Sequence, residues 1–77
     1  MNGLPQPKRA DMLNRTFNFE GDHELPPGVW KVRQLLNDRN EYVCTKIRGP
    51  GLTNKDNFDI GYVMSTIREE EERVRQN

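Results

Sequence analysis

Residues 28–48, G-V-W-K-V-R-Q-L-L-N-D-R-N-E-Y-V-C-T-K-I-R, constrain the fold more than any other stretch of the chain. Two apolar-alternating arms flank the turn residues Asn37, Asp38, Arg39 and Asn40, which is the pattern of a β-hairpin. Breakers bound it on both sides. Leu25-Pro26-Pro27 precedes it as a stiff segment unsuited to a central strand, and Gly49-Pro50-Gly51 follows it as a turn. The rest of the chain must pack around this unit.

Register is set by the segregation of apolar side chains. A regular pairing puts Leu36 opposite Glu41, Gln34 opposite Val43, Val32 opposite Thr45 and Trp30 opposite Ile47. Trp30, Val32, Leu36, Val43 and Ile47 then share one face. The other face pairs Leu35 with Tyr42, Arg33 with Cys44, Lys31 with Lys46 and Val29 with Arg48. It gathers Lys31, Arg33, Lys46 and Arg48 around Tyr42, with Lys31 and Lys46 directly opposed unless an anion relieves them. A basic face with one aromatic is a candidate surface for phosphates or an acidic protein partner. The competing reading is a solvated face whose long stems cover the sheet.

The flanks are read from the same periodicities. Residues 1–14 hold Pro5 and Pro7 and little apolar surface, so they are expected to form a flexible arm. Leu4, Met12 and Leu13 are its candidate docking residues. Residues 15–77 form the single small domain. Residues 15–20 alternate, with Phe17 and Phe19 on one side, and predict a short strand whose aromatic face closes over the hairpin. From residue 56 to 75, Ile60, Val63, Met64, Ile67 and Val74 recur at helical spacing. Thr53 and Asp56 resemble a capping box, and Arg68–Glu72, Glu69–Arg73 and Glu71–Arg75 are i,i+4 pairs. These predict an amphipathic C-terminal helix over 56–75. Phe58, Ile60, Tyr62 and Met64 also alternate, so the alternative is a strand to about Met64 with a shorter helix from Thr66.

The predicted fold class is small α+β: an antiparallel sheet of an N-terminal strand and the central hairpin, with the helix on one face. A small SH3-like β-barrel with a short C-terminal helix is the alternative.

Composition narrows the chemistry. The chain has 77 residues with 32% apolar, against roughly 45–50% in an average domain. Chains this small supplement a thin core with disulfides, metals or a partner subunit. One Cys and one His exclude an intramolecular disulfide and a structural zinc site, which leaves self-association as the economical supplement. No run reaches the roughly 20 apolar residues of a membrane span, and Met1 to Ala10 lacks the apolar stretch of a signal peptide. With a single unpaired Cys, this points to the cytoplasm.

No enzyme constellation is present, and no metal site or cofactor is expected. His23 sits in a charged turn between Asp22 and Glu24, and Cys44 falls mid-strand, away from any helix N-terminus that would activate it. Glycine-rich phosphate loops are absent. Trp30, Ile67 and Val74 are candidate interface residues. The expected function is a non-enzymatic interaction module that self-associates and binds a protein partner. A short polar chain of this kind suits an accessory or inhibitor protein of a compact genome such as a phage's. The alternatives are a nucleic-acid binder using Lys31, Arg33, Tyr42, Lys46 and Arg48, and a binder of a small anion such as a nucleotide.

Overall fold

The computed structural model describes residues 9–76. Four strands, β1 (Thr16–Phe19), β2 (Gly28–Leu36), β3 (Glu41–Arg48) and β4 (Lys55–Asp59), form one antiparallel sheet in the order β1-β2-β3-β4. The helix α1 (Ile60–Gln76) follows β4 directly and packs back across one face to β1. The fold is therefore small α+β as expected, and the sheet is open, not a barrel. No described helix is long and apolar enough to cross a membrane.

The hairpin forms where the sequence places it, with a 3-10 turn at Asn37–Arg39 between its arms. Asn40 closes the turn at φ 58°, a left-handed conformation that Asn tolerates. At the open end, Gly49 lies at φ +131° and packs against Gly28, where an added Cβ would stand 2.8 Å from the Gly28 Cα. Both the turn and the close approach explain why these positions are glycine.

The register departs from the regular one. Leu36↔Glu41, Leu35↔Tyr42, Gln34↔Val43 and Val29↔Arg48 pair as expected, but the middle is shifted to Val32↔Cys44, Lys31↔Thr45 and Trp30↔Lys46. Arg33 is the extra residue on β2 and Ile47 the compensating one on β3, so a bulge opens and then closes. The reason lies in side-chain spacing. Trp30, Val32 and Leu35 all seek the core, and the step of three from Val32 to Leu35 needs one added residue. With the bulge, β3 turns Tyr42 and Cys44 inward, both fully buried, while Ile47 is left exposed. Val43 between them is buried as well, so the shift decides which side chain joins the core cluster, and a Tyr ring brings more apolar surface to it than Val does. The expected core face of Trp30, Val32, Leu36, Val43 and Ile47 is corrected accordingly: Trp30 and Val32 belong to the core cluster, Val43 is buried outside it, Leu36 is half-buried and Ile47 is exposed.

The helix also starts later than the 56–75 periodicity suggests. Residues through Asp59 continue the sheet, and Asp59 Oδ2 accepts the Tyr62 N–H at 3.0 Å, capping a helix that begins at Ile60. The alternative of a strand followed by a shorter helix has the element order right, but the cap ends the strand at Asp59 and not near Met64. Ile60, Val63, Met64 and Ile67 face the sheet as expected. Phe17 and Phe19 join them, and the ring of Phe58 meets Trp30, Phe17 and Phe19 edge-on at 5.0, 5.3 and 5.2 Å.

Within the expected arm, Arg9–Met12 forms a 3-10 turn and Met12 enters the core, so this part is docked on its own domain. Leu13 remains exposed, and Leu4 lies outside the described residues.

Candidate functional site

The bulged register redistributes the residues of the expected basic face. Tyr42 is fully buried, and its hydroxyl donates to the Arg9 carbonyl at 2.6 Å. Burial pushes its phenol above the ordinary value. Lys46 stands opposite Trp30, and its ammonium donates to the Pro50 and Gly51 carbonyls at 2.5 and 2.9 Å. It ties off the turn after the hairpin. Lys31 lies opposite Thr45, so the Lys31–Lys46 opposition does not arise. Arg33 is exposed at the bulge, and Arg48 is exposed opposite Val29. The structure does not bring these five together. The aromatic has gone to the core and one cation is engaged with backbone.

The interface candidates divide in the same way. Trp30 is 1% exposed and Ile67 3% exposed, both in the core, whereas Val74 is 76% exposed near the C-terminal end of α1. Trp30 Nε1 is buried without a hydrogen-bond partner among the described residues. Ile67 and Val74 line a shallow groove of about 450 Å³ with Arg15, Thr16, Glu70 and Glu71. The groove is bridged by ion pairing of Arg15 with Glu71.

The Cys44 thiol is not activated. Cys44 is fully buried, and desolvation, with the Asp56 carboxylate nearby, pushes its thiol up to about 12. His23 is exposed, with Glu24 Oε1 4.0 Å from its Nε2. No three His, Cys, Asp or Glu side chains among the described residues converge as metal ligands.

A different site emerges on the helix side of the sheet. The β1–β2 connection folds over the end of the core toward β4, leaving a cleft of about 530 Å³. Its floor is aromatic: Phe19 and Tyr62 at 6.2 Å, with Phe58 stacked on Tyr62 at 6.5 Å. Tyr62 remains 39% exposed, and partial burial still raises its phenol above the ordinary value. Its rim carries five carboxylates, Glu20, Asp22, Glu24, Asp56 and Asp59, and no Lys or Arg among the described residues lines it. Two of them have structural work. Asp59 caps α1, and Asp22 Oδ1 accepts the Leu25 and Glu24 N–H groups at 2.8 Å each, which holds its carboxyl below the ordinary value. Glu20 and Glu24 are exposed at the rim. An aromatic floor under a carboxylate rim attracts an organic cation by both ring quadrupole and charge.

Sequence reasoning missed this cleft because its acids come from two distant stretches, residues 20–24 and 56–59. Only the packing of Phe19 on Phe58 brings them together. No protein-family model matches the chain, and neither a curated protein nor a solved structure does.

Proposed function

We propose that this chain is a non-enzymatic interaction module that self-associates and binds a protein partner through a basic side chain of that partner. The observation that carries the partner reading is the cleft of Phe19, Phe58 and Tyr62 rimmed by Glu20, Asp22, Glu24 and Asp56. Lysine and arginine side chains match it: an apolar stem lies on the aromatic floor and the charged head meets the rim. The self-association reading draws on the small size of the domain and on a sheet with only one face covered by α1.

Binding is tested with fluorescently labelled lysine- and arginine-rich peptides at low ionic strength, with an acidic peptide as control. The basic peptides should bind, and Glu20→Gln/Glu24→Gln should weaken them several-fold without changing the melting temperature, since neither side chain supports the core. Absence of binding at low salt, where a charge-driven contact is strongest, refutes the reading. So does an affinity that the double variant leaves unchanged.

A further inference from the structure

The two edges of the sheet are finished differently. On the β1 side, Val32 N–H donates to the Arg15 carbonyl at 2.9 Å, so alternation along the ladder turns the backbone groups of Thr16 and Asn18 outward. The helix closes that edge. Asn18 N–H donates to Glu70 Oε2 at 2.8 Å, and Arg15 pairs with Glu71.

On the β4 side, Lys46 N–H donates to the Asn54 carbonyl at 2.9 Å and Ile60 N–H to the Asn40 carbonyl at 3.1 Å. Both bonds extend the Tyr42↔Phe58 and Cys44↔Asp56 register. The ladder therefore uses the backbone of the even-numbered positions, and the N–H and C=O groups of Lys55, Asn57 and Asp59 point away from the sheet. No described strand pairs with them. Asn57 N–H is met by the neighbouring Asp56 Oδ1 at 2.8 Å, an acceptor that a strand carbonyl can replace.

We infer that β4 is the surface on which a second copy adds, antiparallel about a two-fold axis at Asn57, joining two sheets into one. This inference rests on the self-association proposed above and specifies its surface. The order of charges along Lys55-Asp56-Asn57-Phe58-Asp59 is self-complementary in that register. Lys55 of each copy falls opposite Asp59 of the other, and Asn57 opposite Asn57. Within one copy, Glu41 stands opposite Asp59, two like charges directly across a ladder. Lys55 of the second copy arrives beside them and neutralises that opposition. The β1 edge has no such pattern, because Glu70 and Glu71 already occupy it.

The Asn57 pair would exchange both backbone hydrogen bonds, with Cα atoms about 5.5 Å apart, inside the range a disulfide spans. Asn57→Cys should therefore oxidise to a covalent dimer. Lys55→Cys, whose counterpart lies four residues along the facing strand, should not, and the buried Cys44 takes no part. Asn57→Pro removes an N–H that the β3–β4 ladder does not use. It should keep the circular dichroism spectrum while lowering dimer affinity about tenfold or more. Lys55→Glu leaves the backbone unaltered and sets like charges opposite each other, so it should weaken the dimer even if the proline variant fails to fold. A wild-type chain that sediments as a monomer at every concentration overturns self-association and this surface together. A concentration-dependent dimer unaffected by Lys55→Glu, with no Asn57→Cys link, overturns the β4 surface alone.

Discussion

The Glu70 carboxylate on α1 accepts the outward backbone N–H of Asn18 on β1 at 2.8 Å. One side chain thus does for the β1 edge what a neighbouring strand would do. It is the kind of protection that keeps an edge strand from templating another chain. Glu70→Ala should cost about 0.5–1.5 kcal/mol, because the contact is charge-assisted but solvent-exposed. It should also raise light scattering on heating, and urea unfolding with parallel turbidity measurements checks both effects. Unchanged stability and scattering would remove Glu70 from this role.

The Asp59 carboxylate caps α1 through the Tyr62 N–H. Asp59→Ala should destabilise the fold by about 1 kcal/mol, and Asp59→Asn, which retains an acceptor, by markedly less. Chemical denaturation of the two variants side by side separates the cap from the charge of the residue.

Cys44 gives a dependence on pH. Its thiol is pushed from 9.0 to about 12 in the fold, chiefly by burial. The folded value is raised, so the stabilisation is fully present below 9.0 and is lost as pH rises toward 12. Tyr42 and Tyr62, both raised from 10.0 by burial, act in the same direction at higher pH. The melting temperature should fall through this alkaline window, and Cys44→Ala should flatten the early part of the fall. In the native protein the thiol should resist alkylation, and it should react promptly in denaturant.

Gly49 should not tolerate a side chain. Its φ of +131° is sparsely accessible to other residues, and a Cβ would meet the Gly28 Cα at 2.8 Å and the Pro27 oxygen at 2.9 Å. Gly49→Ala should cost about 1–3 kcal/mol, measured as a lower urea midpoint with an unchanged slope.

The parts of the fold legible from sequence are those set by strong local signals. Prolines and glycines bound the hairpin, Asn37 to Asn40 mark its turn, and the alternation around Phe17 and Phe19 marks β1. The bulge was hidden because Tyr42, Val43 and Cys44 are apolar in succession, so strict alternation could turn either face inward. The choice fell to Tyr42 only through its packing in three dimensions. β4 was legible only as the alternative strand beginning at Phe58, and for another reason. Lys55, Asp56, Asn57 and Asp59 have low strand propensity, and only Phe58 reports the core. The basic face failed with the register that generated it. The cleft had no sequence signature, because its two acidic stretches meet only through the aromatic contacts between β1 and β4.

Sedimentation equilibrium of the wild-type chain across the micromolar-to-millimolar range tests the central claim of self-association most directly. The expected result is a mass that rises with concentration from 9.0 kDa toward twice that value, accompanied by a rising melting temperature. A mass that stays at 9.0 kDa over the whole range would contradict it.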